Sequence, residues 1–207
     1  MQRVLLFAML VVGTAPAQAQ SSSATPQIAP GMVSAEQRRA LRSFSTCLAR
    51  SRPGWARRTL SHAYLSEAQA SAAAEALSGN DTCILRDVEL TFRTSGMVGS
   101  LAEYFLAPAL DAADQARLSR TLNALTPRNT SEDFALCVAA RNPAAARELA
   151  LSDPGSSAEV QAAAALAAHV PRCTNPGEQL SVELPSLRSL MSVALYRGRQ
   201  NQLTARK

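Results

Sequence analysis

Two stretches of the sequence repeat each other at an interval of 90 residues, and this repeat constrains the fold more than any other feature. FSTCLARSRPGWAR covers residues 44–57 and FALCVAARNPAAAR covers residues 134–147, with phenylalanine, cysteine, proline and arginine at matching positions. In each copy a second cysteine follows after 36 residues, which gives the pairs Cys47 and Cys83, and Cys137 and Cys173. Recurrence at one fixed period is the signature of a duplicated structural unit. We therefore predict that one module occurs twice in this chain.

The four cysteines allow three disulfide pairings. The duplication favours one of them, because a single ancestral module could close only its own pair. We predict disulfides within each pair, Cys47 with Cys83 and Cys137 with Cys173. Redox-active or metal-binding cysteines are the alternatives, but the chain has no C-x-x-C motif and no clustered Cys and His ligands for zinc. We expect no metal site and no cofactor.

The N-terminus has the three parts of a secretory signal peptide. Arg3 provides the positive charge, residues 4–12 form the apolar core, and Ala17 and Ala19 precede a predicted cut before Gln20. The alternative is a membrane anchor, which needs about twenty apolar residues to cross the bilayer, whereas this core has nine. We predict a protein of the periplasm or the exterior, with no transmembrane segment after signal removal. Disulfides persist in such compartments.

The composition favours helices and a thin core. Hydrophobic residues make up 47% of the chain and aromatic residues only 4%. Much of the apolar share is alanine, which favours helix and buries little area. We predict an all-α fold in which two duplicated helical modules pack as one bundle, each stapled by a disulfide. The predicted divisions are a signal peptide (1–19), a flexible leader (20–33), a first helical module (34–110), a connecting helix (111–129), a second helical module (130–200) and a basic tail (201–207).

Capping boxes indicate where several helices begin. The predicted caps, each with its partner three residues on, are Ser34 with Gln37, Ser66 with Gln69, Thr130 with Asp133, and Ser156 with Glu159. Alanine-rich helices are expected at 67–77 and 160–170. Residues 87–92, DVELTF, alternate weakly and predict a short strand or an extended connector.

No catalytic constellation is evident in the sequence. The chain lacks the G-x-S-x-G, P-loop and H-E-x-x-H motifs. Its two histidines, His62 and His169, occupy different places in the two modules, and we expect them at the surface or at helix ends. The single tryptophan, Trp55, is expected to fill the core rather than to bind a ligand. We predict that no residue is catalytic.

Arginine is concentrated at the start of the first module. Seven arginines and one acid lie between Glu36 and Arg58, in a chain of net charge +5. Clustered arginine binds phosphate and carboxylate groups. In an exported protein, lipid headgroups or lipopolysaccharide are better candidates than nucleic acid. Arg38, Arg39 and Arg42 are therefore the candidate residues for binding an anionic surface. The alternative is an ordinary solvated helix face.

The second module also carries a resemblance to a family. NPAAARELALSDPG (142–155) and LRSLMSVALYR (187–197) resemble segments of uncharacterised exported alphaproteobacterial proteins that contain paired cysteines. The first module matches that pattern more loosely. The resemblance implies export and duplication, and it supplies no activity and no site residues.

These features predict a role that does not involve catalysis. We expect an exported structural or binding module of the bacterial envelope, whose partner is an unknown envelope component or protein and not nucleic acid. A binder of anionic envelope surfaces, through the arginine-rich first module, is the alternative. An enzyme of unknown class is the third possibility, since no motif supports one.

Overall fold

The computed structural model describes residues 28–29, 31, 33–77, 83, 93–106, 112–175 and 180–205. Within these residues there are nine α-helices: α1 Ala35–Ser51, α2 Pro53–Ser61, α3 Glu67–Leu77, α4 Thr94–Phe105, α5 Ala112–Ala124, α6 Thr130–Arg141, α7 Pro143–Leu151, α8 Ser157–Ala167 and α9 Leu184–Thr204. The prediction of a mostly helical fold is confirmed. The strand or connector predicted at 87–92 lies outside the described residues.

The only strands in the described part of the chain are two residues long. They are β1 Ile28–Ala29 and β2 Val182–Glu183, which pair in parallel. Part of the predicted flexible leader (20–33) is thus hydrogen-bonded to the segment before α9. At the other end of the chain, α9 continues to Thr204, so most of the predicted basic tail (201–207) is helical.

Several helix boundaries recur at the interval of 90 residues. Helices α2 and α7 correspond at both ends, and so do α3 and α8, while α4 and α9 correspond at their first residues. Pro53 and Pro143 each open a helix. Proline suits this position because its fixed φ fits the helix and its missing N–H has no helical acceptor there. The sequence repeat is therefore matched by a repeat of local structure.

Three of the predicted N-caps are confirmed, although only one of them forms the complete capping box, and the predicted cap of α6 is wrong. Ser34 forms a complete capping box with Gln37, and the hydroxyls of Ser66 and Ser156 accept from amides three residues on. At α6, however, the cap is Asn129 rather than Thr130, because the Asn129 amide oxygen accepts from the Glu132 N–H at 2.9 Å. Asparagine is at least as good an N-cap as threonine.

We call residues 33–106 the first half and residues 125–205 the second half. Helices α4 and α9 pack against each other at the centre, with α1 on α4 and with α6 and α7 on α9. A Cβ atom at Gly99 would lie 2.7 Å from the Ser189 Cα, so the two backbones approach too closely there for any larger residue. Gly99 and Ser189 are themselves 90 residues apart. The two central helices therefore meet at corresponding positions.

Each half has its own hydrophobic core. The first core surrounds α1, α2 and α4, and it includes Trp55, which is 3% exposed and donates its indole N–H to the Ala72 carbonyl at 2.7 Å. The second core lies between α6, α7, α8 and α9, with Leu118 and Leu122 of α5 added. Trp55 thus lies in the core, as predicted.

Each half is also crossed by one disulfide. Cys47 is bonded to Cys83 and Cys137 to Cys173, and the Cα atoms of each pair are 5.7 Å apart. Both pairings agree with the prediction, and no free cysteine remains. Each bond links the first helix of a half to a residue beyond its alanine-rich helix.

Candidate functional site

The described residues contain no arrangement typical of a metal site. No group of three or more His, Cys, Asp or Glu side chains within them could hold a metal ion. His62 follows α2 and His169 lies between α8 and a short 3-10 turn, and each is partly exposed. The most unusual chemistry is instead found between the two halves, where charged side chains are buried.

The three arginines proposed to bind an anionic surface all contact the second half or the central helices. Arg38 forms an ion pair with the buried Glu159. Arg39 donates to the Pro154 carbonyl at 2.8 Å. Arg42 donates to the carbonyls of Leu151 and Ser152 at 3.1 Å each, and its Nε lies 3.2 Å from a Glu103 carboxylate oxygen. The structure therefore places these guanidinium groups against internal acceptors.

Arg188 lies at the middle of these contacts. It is 5% exposed, and its Nε is 2.7 Å from the Glu103 carboxylate while its Nη1 is 3.0 Å from Glu159. Its Nη2 also donates to the carbonyls of Ala150 and Ser152, at 2.9 Å and 2.8 Å. Because each nitrogen has an acceptor, the cost of burying this charge is offset by ion pairs and hydrogen bonds.

We define the central ion cluster by five residues: Arg38, Arg42, Glu103, Glu159 and Arg188. Burial lowers the pKa of Arg188, but the hydrogen bonds and charges of the two carboxylates outweigh it and raise that pKa above its ordinary value. Burial alone raises the pKa of Glu159, but hydrogen bonds from Arg38, Arg188 and the Gly155 N–H lower it overall. Arg188 and Glu159 are therefore charged at neutral pH.

Glu132, which is 2% exposed, is the common acceptor in a second group of buried polar contacts. Its carboxylate accepts from Arg128, from Arg197 at 2.7 Å and from the Tyr64 N–H at 2.9 Å. Burial raises the pKa of Glu132, but the hydrogen bonds from Arg128 and Tyr64 and the charge of Arg197 outweigh burial and lower it. This carboxylate joins α6 and α9 to the turn between α2 and α3.

Some contacts between the halves are reciprocal. Arg39 at the start of the first half donates to the carbonyl of Pro154, in the turn before α8. Asn129, 90 residues after Arg39, donates at 2.6 Å to the carbonyl of Tyr64, which lies 90 residues before Pro154. The start of each half is therefore bound to the corresponding turn of the other half.

The two turns share a backbone conformation that favours glycine. Leu65 has φ +64° and Gly155 has φ +86°, at corresponding positions. The Leu65 N–H donates to the Gln69 side chain at 2.9 Å, and the Gly155 N–H donates to Glu159 at 2.7 Å. The same hydrogen bond thus uses a neutral side chain in the first half and a carboxylate in the second. Only the carboxylate recruits arginines.

Sequence reasoning did not assign Glu103, Glu132 or Arg188 to any site. One signal was available, since Arg188 interrupts the apolar run LRSLMSVAL of α9, and a charge within an apolar helix face is buried only when it is paired. Its partners were not deducible, because they come from α4 and α8, 85 and 29 residues away.

One small cavity lies at this interface. A cavity of about 10 Å³ lies beside Glu132, lined mainly by apolar residues of α6 and α9 together with Tyr64. That volume is about the minimum needed to hold one water molecule. The buried charges bind each other and backbone groups. We call these contacts, which are made by the central ion cluster, Glu132, Arg39 and Asn129, the clamp between the halves.

Comparison of the chain with protein-family models, with curated proteins and with solved structures found no match. Among the helices that the structure describes, none is both long and apolar enough to cross a membrane.

Proposed function

We propose that this protein is an exported structural or binding module of the bacterial envelope, formed by duplication of one helical module and acting without catalysis. The observation that supports this most is the reciprocal clamp, in which corresponding segments of the two halves bind each other through buried charges and carbonyls. Such an interface stabilises a fixed shape.

The duplication is supported by three independent features. The helix boundaries recur at 90 residues, both disulfides span 36 residues, and Gly99 of α4 meets Ser189 of α9 at the crossing of the central helices. Corresponding residues touch each other at a two-fold axis, as they do in a symmetric dimer. Fusion of two copies of a dimeric module would produce this arrangement.

Export is supported by the signal-like N-terminus and by the disulfides. Two disulfides fit an oxidising compartment outside the cytoplasm. We infer the periplasm or the exterior on these grounds. Intact-mass measurement on protein purified from the cell envelope should give a chain that begins at Gln20 and is four hydrogens lighter than its reduced form. A chain that retains Met1 would contradict export.

The alternative role, binding of anionic surfaces through Arg38, Arg39 and Arg42, has weaker support. Arg38 and Arg42 are ion-paired with buried carboxylates, and Arg39 is bonded to a carbonyl while lying 3.4 Å from Asp153. A phosphate ligand would have to displace these internal acceptors. Binding of an anionic surface by these three arginines stays a prediction.

Thermal unfolding in the presence of separated envelope components tests the proposed function. A ligand that binds only the folded state raises the melting temperature in proportion to the logarithm of its concentration. We expect at least one component, whether protein, lipid, lipopolysaccharide or peptidoglycan fragment, to raise the melting temperature. If no component does so at saturating concentration, the protein is not a binding module, and only the structural role remains.

A further inference from the structure

The clamp accounts for only part of the arginine cluster. Residues 35–61 contain seven arginines, of which three face the second half. The other four, Arg50, Arg52, Arg57 and Arg58, occur around α2. None of these four has an ion pair with an acid within the described residues. These four arginines therefore leave unpaired positive charge around α2 among the described residues.

The side chains of α2 divide into two faces. Trp55, Ala56, Thr59 and Leu60 are buried, whereas the residues that alternate with them, Gly54, Arg57, Arg58 and Ser61, are exposed. The exposed positions are spaced by three or four residues, so they lie on one side of the helix. Arg57 and Arg58 thus point to solvent from the same face.

Phe105, at the end of α4, connects this surface to a further arginine, Arg199, and to the exposed ring of Tyr104. The Arg57 guanidinium lies 5.0 Å from the centre of the Phe105 ring, and the Arg199 Nη1 donates to the Phe105 carbonyl at 3.0 Å. Tyr104 is 39% exposed and packs edge-on against Phe105, with ring centres 5.0 Å apart. Arginines and an exposed tyrosine therefore lie side by side.

The corresponding surface of the second half has no such charge. Asn142, Arg147 and Glu148 stand where the first half has Arg52, Arg57 and Arg58. Residues 125–151 as a whole contain three arginines and three acids. Since the scaffold is the same in both halves, the positive charge at α2 is not a requirement of the fold.

We propose that the α2 basic face, which comprises Arg52, Arg57, Arg58, Arg199 and Tyr104, docks the protein on an anionic phospholipid surface. Arginines near such a surface are attracted by its negative potential, and tyrosine is favoured at the level of the headgroups. The cation–π contact with Phe105 holds Arg57 in place, which reduces the entropy that binding would cost. The inference rests on the proposed role as a binding module and names its partner.

Vesicle co-sedimentation tests the inference with the full mature chain. The protein should bind vesicles of phosphatidylglycerol and phosphatidylcholine, should not bind pure phosphatidylcholine, and should dissociate as salt is raised. Arg57→Gln with Arg58→Gln should weaken binding about 25-fold, because each arginine near an anionic membrane contributes roughly a fivefold factor. Arg57→Lys with Arg58→Lys should retain most of the binding, since the charge is kept.

Matched controls separate this face from net charge and from the proposed function. Arg141→Gln with Arg172→Gln removes the same charge from exposed positions of the second half and should weaken binding less than fivefold. An equal loss in both double variants, or equal binding to neutral and anionic vesicles, would overturn the inference. No vesicle binding by a protein that another envelope component stabilises would also overturn it, while the proposed binding role would stand.

Discussion

The two halves of this protein share helix boundaries, disulfide spacing and turn geometry, but they differ in the chemistry placed on that frame. The first half has seven arginines and one acid over residues 35–61, and the corresponding 125–151 has three of each. The first half has Trp55 in its core where the second has Ala145. The shared features show what the fold requires, and the differences show where the chemistry of the two halves is not the same.

The difference is sharpest at the interface between the halves. The first half supplies Arg38, Arg42 and Glu103 to the central ion cluster, and the second supplies Glu159 and Arg188. Arg188 occupies in α9 the place that Val98 occupies in α4, and both side chains are buried. A pair of identical modules would place the same residue in both positions. The divergence therefore makes the clamp specific for the pairing of one half with the other.

The largest effect is expected from removal of the central charge. Arg188→Ala leaves Glu103 and Glu159 buried with fewer partners, which should lower the free energy of unfolding by about 3–5 kcal/mol. Val98→Ala, which removes apolar volume at the corresponding place, should cost about 1–3 kcal/mol. Urea unfolding of both variants gives the comparison, with exposed Arg172→Ala as a control of under about 0.5 kcal/mol. A loss for Arg188→Ala no larger than for Val98→Ala would show that the cluster is not a clamp.

The two disulfides offer a comparison at equal loop length. Replacing both cysteines of a pair by alanine should cost about 2–4 kcal/mol, since both bonds close a sequence separation of 36 residues. Cys83 is 5% exposed whereas Cys173 is partly exposed. We therefore expect the Cys47–Cys83 deletion to lower the unfolding free energy more than the Cys137–Cys173 deletion. The reverse order would mean that the second half depends more on its disulfide than its burial suggests.

Acid should remove the contribution of Glu132. Its pKa is lowered in the folded state, so its stabilisation is complete above its unfolded pKa of about 4.3 and is lost as the pH falls through the lower folded value. Glu132→Gln should cost about 2 kcal/mol at pH 7, because it removes hydrogen bonds to charged groups. The difference from the native protein should shrink below about pH 4. Glu148→Gln, at an exposed position, should change the unfolding free energy by less than about 1 kcal/mol at either pH.

Substitutions in the turns at Leu65 and Gly155 should have effects of opposite sign, and the effect at Leu65 should be the smallest of all. Leu65 is 58% exposed and holds a positive φ, so Leu65→Gly should relieve strain and stabilise the protein by up to about 1 kcal/mol. Gly155→Ala should destabilise it by about 1–3 kcal/mol, because its Cβ would also lie 2.6 Å from the Ala35 Cβ. The melting temperatures of the two variants, compared with that of the native protein, test these signs. Two changes of the same sign would mean that the turns are not equivalent.

Much of the fold was predictable because its signals are local or recur in the sequence. The alanine-rich helix α3 has the predicted bounds, and the 90-residue period led to the disulfide pairing of Cys47 with Cys83 and Cys137 with Cys173. The cap at Asn129 was missed because threonine and asparagine are adjacent and both favour that position. Local rules do not separate two good caps by one residue.

The clamp was not predictable, because its residues are distant in the sequence and the local sequence around each one is typical of another role. Arg38, Arg39 and Arg42 have the spacing of a solvated helix face, and Glu159 has the position of a capping-box residue. These residues become partners only because α1 packs against the turn before α8. The arginines at α2 have the same local appearance, so no local signal separates them from the first three.

We expect the contacts between the two halves to make them one cooperative unit. Trp55, the single tryptophan, reports on the first half by its fluorescence, and amide hydrogen exchange in α6, α7 and α8 reports on the second. Urea unfolding of the disulfide-intact protein should give the same midpoint by both probes, as expected for a single transition. Separate midpoints, with one half still protected after the other has unfolded, would contradict the account.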